Sequence, residues 1–308
     1  MNILTVKNLR KTFNGNDVIK DLSFSIKEKQ IFGFLGKNGA GKTTTMKIIL
    51  GFLKADFGEI LVFDEKVHFG NTKTNRFIGY LPDVPEFYDY MTSKEYLNLC
   101  GEITGLSNSE IKERTEEMLN LVGLKDENKR IGKFSRGMKQ RLGIAQALFN
   151  KPKLLICDEP TSALDPIGRK EILDILLKIK EHTTVLFSTH ILQDVERVCD
   201  EFLILNDGVN SLNGNISDIK NMGLKDKISV EFYNIEDRDL FLNKFETNNI
   251  KVELNDCSVI FSSFENLKYI ENRIFKTVLD NDLLIGSYNI IKPSLEDLFI
   301  EVIKWKYL

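Results

Sequence analysis

Gly36-Lys37-Asn38-Gly39-Ala40-Gly41-Lys42-Thr43 decides the reading of this chain. The octapeptide fits G-x-x-x-x-G-K-[ST] and lies between an apolar run, Ile31 to Leu35, and a periodic segment that opens at Lys42. A strand, a glycine-rich loop and a helix in that order gather backbone N–H groups around phosphate oxygens, and the helix N-terminus adds positive potential. Lys42 is placed to reach β- and γ-phosphates, and the Thr43 hydroxyl to ligate magnesium. Thr44 follows on the opening helical turn and is grouped with the nucleotide-binding residues. The competing reading is a glycine turn that matches by chance, at ordinary residue frequencies about a 1% event in a chain of this size.

A second stretch completes the phosphate chemistry. Leu154-Leu155-Ile156-Cys157-Asp158-Glu159 is a buried-strand run ending in two carboxylates. Asp158 can hold magnesium at the carboxyl edge of the strand, where open α/β sheets bind ligands, and Glu159 is left to polarise a water. An exposed acidic turn after a core strand is the alternative for this run taken alone.

Outward from these stretches, the first ~210 residues alternate short β-branched or aromatic runs with longer periodic segments, the pattern of an α/β domain with a largely parallel sheet. Strands are expected at Ile3 to Val6, Leu22 to Ile26, Ile31 to Leu35, Phe77 to Leu81, Leu154 to Cys157, Val185 to Ser188 and Phe202 to Leu205. Helices are expected at Lys42 to Leu50, Ser93 to Gly101, Ser109 to Val122, Arg136 to Phe149, Arg169 to Lys178 and Ile191 to Cys199. The turn-rich stretch Asp207 to Gly214 marks the expected boundary between domains 1–214 and 215–308. Beyond it the pattern reads β-α-β-β-α-β, a small α+β, ferredoxin-like module. A last helix is expected after Ser294 as N-cap, with Leu295, Leu298, Phe299, Val302 and Ile303 as its apolar stripe.

Of the 308 residues, 42 are Lys or Arg and 45 are Asp or Glu, a net charge of −3, so a globally basic nucleic-acid binder is not expected. No apolar run approaches the ~18–20 residues of a membrane helix, and the first ten residues lack the apolar centre of a secretory signal. A cytoplasmic location follows as the expectation. Cys100, Cys157, Cys199 and Cys257 show neither a C-x-x-C pair nor zinc-ligand spacing, and are read as reduced thiols.

Between the two phosphate-binding stretches stands Phe134-Ser135-Arg136-Gly137-Met138-Lys139-Gln140-Arg141, which resembles the signature motif of ATP-binding cassette (ABC) ATPases. Ser162-Ala-Leu-Asp165 resembles the D-loop of that family and Ser188-Thr189-His190 its switch histidine, so the resemblance covers about residues 1–215 in the family's motif order. Two departures stand out. The usual Leu-Ser-Gly-Gly-Gln reads Phe-Ser-Arg-Gly-Met here, and the Q-loop position carries Asp83 instead of glutamine. With the C-terminal extension, these variants resemble the stand-alone ATPase subunits of bacterial exporters of the antibiotic-resistance group.

The resemblance implies a P-loop NTPase fold with a helical subdomain at about 85–150, with ATP and Mg2+ as cofactors. It implies two cassettes closed head to tail, so that Ser135 and Gly137 reach the γ-phosphate held by the opposite chain. Glu159 becomes the general base, His190 a hydrogen-bonding sensor of the γ-phosphate, Asp165 a link between the two sites, and Asp83 a magnesium or water contact. Phe13 stands where the family stacks an aromatic on adenine, with a core phenylalanine as the alternative. Arg136, a cation at a helix N-terminus, points either to an anionic partner or to a solvated surface residue. His68 and His182 are read as structural. The segment Asp83 to Tyr90 is expected either to receive a coupling helix from a separate permease or to pack under the helical subdomain. Such a subunit would sit at the inner face of the membrane through that permease, with no nucleic acid involved. A soluble ABC ATPase working on a nucleic-acid or protein complex is the alternative function, and a metabolic P-loop kinase a third.

Overall fold

The computed structural model describes residues 1–71, 73–125, 128–221, 226–247, 250–263, 267–292 and 294–297. It divides into two compact units, Met1–Ile216 and Ser217–Leu308.

The first unit begins with a long hairpin, β1 (Asn2–Phe13) and β2 (Asn16–Lys27), followed by β3 (Ile31–Leu35) and α1 (Lys42–Ile49). Two antiparallel strands, β4 (Phe57–Val62) and β5 (Glu65–Lys66), precede β6 (Ile78–Leu81). Then come α2 (Ser93–Ile103), α3 (Asn108–Leu121) and α4 (Arg136–Leu148). The chain returns to the sheet with β7 (Leu154–Asp158), α5 (Pro166–Ile179), β8 (Thr184–Thr189), α6 (Leu192–Val198), β9 (Glu201–Asn206) and β10 (Val209–Asn215). These strands form one ten-stranded sheet in the order β5-β4-β1-β2-β10-β9-β3-β8-β7-β6.

The stretch β9-β3-β8-β7-β6 is parallel and β10 meets β2 in a parallel pair at Val209 and Asp21, whereas β1, β2, β4 and β5 make an antiparallel lobe and β10 runs antiparallel to β9. The expected parallel sheet is present in the strands around the phosphate loop, and the antiparallel lobe makes the sheet as a whole a mixed one. The lobe strands carry polar residues at every second position, as in Thr5, Lys7, Ser23 and Ser25, so their apolar signal is short although the hydrogen-bonded ladder is long. The parallel strands β3, β7 and β8 are buried at every residue, as helices on both faces require. Leu154, Ile156, Leu186 and Phe34 join Ile3, Leu4 and Val6 in one core.

Three helix starts are written locally. Thr92 and Ser107 close capping boxes with Glu95 and Glu110. Asp165 accepts from Gly168 N at 2.9 Å with proline next to it, so α5 starts at Pro166, three residues before the expected Arg169. The Asp207 to Gly214 stretch, expected as the boundary, is itself folded and ends two residues before the first unit does at Ile216. Asp207 and Gly208 both take positive φ, 48° and 77°, the geometry of a two-residue hairpin turn, and Val209–Asn215 pairs with β9 as an arm of the first unit.

The second unit runs β11 (Lys227–Phe232), α7 (Ile235–Lys244), β12 (Ile250–Asn255), β13 (Ser258–Ser263), α8 (Leu267–Asp280) and β14 (Ile285–Ile291). Its sheet is antiparallel, in the order β12-β13-β11-β14. Val230, Phe232, Phe241, Phe261 and Ile274 form a separate core. Ser294 and Asp297 make the reciprocal cap of the last helical turn, and Leu295 is buried. Leu298, Phe299, Val302 and Ile303 lie outside the described residues.

Candidate functional site

Four parallel strands deliver their ends to one edge. β3 runs into Gly36, β6 leads to Asp83, β7 ends at Asp158 with Glu159 next, and β8 ends one residue before His190. They border a cavity of ≈ 330 Å³ lined by Asn38, Gly39, Gly41, Lys42, Thr43, Thr44, Asp83, Glu159, Ser162 and His190.

The loop depends on glycine at two points. A Cβ at Gly36 would stand 2.6 Å from the Leu205 carbonyl oxygen, so only glycine lets β3 turn this close to β9. Gly41, with φ 107°, is the N-cap of α1 and offers no side chain to the first helical turn. The N–H groups there keep their capacity for an external anion. Lys37, Asn38, Gly39 and Ala40 form the rest of the loop, closed by Ala40 N donating to Lys37 O at 3.1 Å.

Lys42 is 5% exposed. Its ammonium donates to the carbonyls of Gly36 at 2.6 Å and Lys37 at 3.2 Å, and pairs with Glu159 Oε1 at 3.1 Å. The other Glu159 oxygen meets His190 Nδ1 at 2.8 Å. Both carboxylate oxygens therefore have a nitrogen partner. Glu159 itself holds φ 49°, a left-handed position that a non-glycine residue adopts at a cost. Its N–H donates to Ser188 Oγ at 3.0 Å and its carbonyl accepts from Ser162 N at 3.0 Å.

Thr43 Oγ1 donates to Asp158 Oδ2 at 2.8 Å, and Ser188 Oγ donates to Asp158 Oδ1 at 2.7 Å. A hydroxyl and a carboxylate this close are hard oxygen donors, the set that suits magnesium completed by phosphate and water oxygens. Ser188 is absent from the sequence-based site, although it orients both Asp158 and Glu159. The available signal is a hydroxyl in a fully buried apolar strand, which must have a polar partner. Ser162, on the cavity wall, is legible in the sequence only as part of the D-loop motif.

Asp83 faces the same cavity. Burial pushes its carboxyl above the ordinary value, Arg136 opposes the shift, and Asp158 and Glu159 reinforce it. Burial, followed by the charges of Asp158 and Asp83, pushes the Tyr80 phenol up to about 12. Helix α4 holds Asp83 from both ends: Gln140 Nε2 donates to its carbonyl at 2.6 Å, and the Arg136 guanidinium pairs with Oδ1 at 3.5 Å. The two departures from the family pattern are thus neighbours in space, and the anionic partner of Arg136 within this chain is Asp83.

The other expected residues stand apart from the cavity wall. Ser135 is the N-cap of α4 and accepts from Met138 N at 3.2 Å. Gly137 has open space around it: a Cβ there would meet Leu164 Cδ2 at 3.9 Å as its nearest neighbour. Asp165 caps α5. Phe13 is 41% exposed at the tip of the β1–β2 hairpin, beneath the Lys11 ammonium, so it is not a core phenylalanine. Among the described residues, no helix is long and apolar enough to cross a membrane.

Comparison with known proteins places this geometry. The ABC transporter family model matches residues 19–162. The ABC transporter ATP-binding protein YxlF of Bacillus subtilis (strain 168) is 46% identical over 219 residues, 71% of this chain and 72% of the relative. The bacitracin transport ATP-binding protein BcrA of Bacillus licheniformis is 33% identical over 98% of this chain and 97% of the relative. A solved ATP-binding subunit of an ABC transporter superposes with a TM-score of 0.64 at 33% identity, covering 71% of this chain and 92% of that one. These relatives favour a transporter ATPase over a soluble ABC machine or a kinase. With relatives of this identity and coverage, the chain belongs to the ABC transporter family, as an ATP-binding subunit that hydrolyses ATP.

Proposed function

We propose that this chain is the motor of an antibiotic-type exporter, in which two cassettes close around ATP and hydrolysis reopens them. The observation that carries the reading is the convergence of Lys42, Thr43, Asp158, Glu159 and His190 on one cavity.

The loop N–H groups and Lys42 bind the phosphates, and Thr43 and Asp158 would hold Mg2+, with Asp83 facing the same space. When bound, the metal neutralises charge on the β- and γ-phosphate oxygens. A γ-phosphate competes with Glu159 for Lys42. Once Lys42 turns to the phosphate, Glu159 Oε1 is free to accept a proton from water, whose oxygen attacks the γ-phosphorus as the bond to ADP breaks. His190 keeps the second Glu159 oxygen engaged and senses the γ-phosphate. Ser135, Arg136 and Gly137 at the start of α4 meet the triphosphate of a second copy, Asp165 connects the two sites, and Phe13 offers a flat face to adenine.

The partner beyond the second copy is a separate transmembrane permease, which puts the subunit at the inner face of the membrane. Support comes from the segment after Asp83: Phe87 packs edge-on against Tyr96, whereas Val84, Tyr88 and Tyr90 are 62%, 53% and 63% exposed. Both expectations for this segment thus have residues behind them. The module after 214, a ferredoxin-like element in this reading, assists dimerisation or regulates closure. The BcrA likeness over nearly its whole length supports an exported cargo, with selection residing in the permease.

Glu159→Gln tests the mechanism. It should bind ATP with magnesium, run as a dimer in light scattering and lose turnover. A monomer at saturating nucleotide, or hydrolysis at the wild-type rate, overturns the proposal.

A further inference from the structure

One buried ionic cluster stands outside the cavity. Asp194, on α6, is 2% exposed. Its Oδ1 accepts from Arg169 Nε at 2.6 Å, and its Oδ2 accepts from Thr161 Oγ1 at 2.8 Å. Thr161 is 1% exposed and Arg169 about a quarter. A buried carboxylate needs charge and hydrogen bonds on both oxygens to stay in place, and this one has them.

The three partners sit on separate segments, each a short step from a residue of the site. Thr161 lies two residues after Glu159, Arg169 four after Asp165, and Asp194 four after His190. Asp194 thus pins the turn that carries Glu159 to the helix that follows His190. The two tips themselves meet in the 2.8 Å hydrogen bond between Glu159 and His190. The Glu159 backbone is held at φ 49°, a conformation that persists only where surrounding contacts impose it. The clamp supplies one through Thr161, two residues beyond Glu159, and Ser188 supplies another at the Glu159 N–H.

We infer that Asp194, with Arg169 and Thr161, is a positioning residue that sets the Glu159–His190 geometry and hence the rate of hydrolysis, without a part in nucleotide affinity. The inference rests on the reading of Glu159 as general base. Lys42, Thr43 and the loop N–H groups, which hold the phosphates, are built from β3 and α1, elements that contribute no residue to the clamp.

The test uses the full chain and three readouts. Asp194→Asn keeps the shape but sets an amide against Arg169, and should lower kcat about 10- to 100-fold, the scale of a misplacement near 1 Å. Affinity for ATP with magnesium should stay within about threefold. Thr161→Val should lower kcat at least about threefold and Thr161→Ser restore it, since the hydroxyl and not the shape is required; these variants serve if Asp194→Asn fails to fold. The chain has three histidines, so the imidazole 15N signals of His190 can be told from those of His68 and His182. Only the His190 signals should move in Asp194→Asn. Equal losses in kcat and affinity, a Thr161→Val variant no slower than Thr161→Ser, or an unmoved His190 overturns the inference. Loss of turnover in Glu159→Gln alongside a wild-type Thr161→Val discards the clamp and keeps the base. Wild-type turnover in Glu159→Gln discards both.

Discussion

Replacing Glu159 by glutamine removes the counterion of a buried lysine, and the same contact should appear in two measurements. Lys42 and Glu159 approach to 3.1 Å, a gross attraction of about 5 kcal/mol at an effective dielectric constant near 20. Breaking a buried pair and stranding one charge costs about 3–5 kcal/mol. Lys42 keeps the Gly36 and Lys37 carbonyls at 2.6 and 3.2 Å, which brings the expected loss to about 2–3 kcal/mol. At about 2–4 °C per kcal/mol for a unit of this size, thermal unfolding without nucleotide should begin about 4–12 °C lower than in the wild type. A γ-phosphate that takes Lys42 breaks the pair in the wild type but has nothing to break in the variant. The energy missing from the free variant must therefore reappear as tighter ATP binding, about 30- to 160-fold. Scanning fluorimetry with and without ATP, and equilibrium titration with a fluorescent ATP analogue, measure the two sides of this cycle. Unchanged unfolding together with unchanged affinity would falsify the assignment of Lys42 as a residue shared between Glu159 and phosphate.

Ser188→Ala removes a hydroxyl that donates to Asp158 and accepts from Glu159 N. The Glu159 N–H keeps the Ser188 carbonyl at 3.2 Å, so the loss reduces to one hydrogen bond to a charged acceptor, about 1.5–3 kcal/mol, to be read by denaturant titration. Gly36→Ala sets a Cβ 2.6 Å from the Leu205 oxygen; ATP affinity should fall at least about tenfold through distortion of the loop, and a variant that binds like the wild type would show the close approach to be soft. Burial and the neighbouring carboxylates hold the Asp83 carboxyl above 3.8. The folded chain therefore binds that proton more tightly than the unfolded chain, and the associated stability is present at low pH and lost as pH rises from 3.8 through the raised value. Asp83→Asn should accordingly be more thermostable than the wild type at pH 7 and lose that advantage below the ordinary carboxylate range. An equal difference at both ends of the pH scale would remove titration as its cause.

The amino-acid sequence by itself determined what is carried by short, local signals. The phosphate loop needs a strand, glycines and a helix start within thirteen residues, and Ile31 to Thr43 contains them all. Asp158 and Glu159 end a run whose apolarity marks a strand buried on both faces, and caps such as Thr92, Ser107 and Asp165 name their helices directly. The antiparallel lobe and β10 were less legible, because their polar alternating residues draw order from ladder hydrogen bonds and not from a continuous apolar run. What only the tertiary structure decided is which charges meet. Lys42 and Glu159 lie far apart in the chain and form one pair; Asp83 and Arg136 are separate departures from a motif and share one contact; Ser188 and Asp194 gain their roles from partners on other elements. Hydrogen bonds and ion pairs act over about 3 Å, and that proximity arises only when the parallel strands stack their carboxyl ends along a common edge.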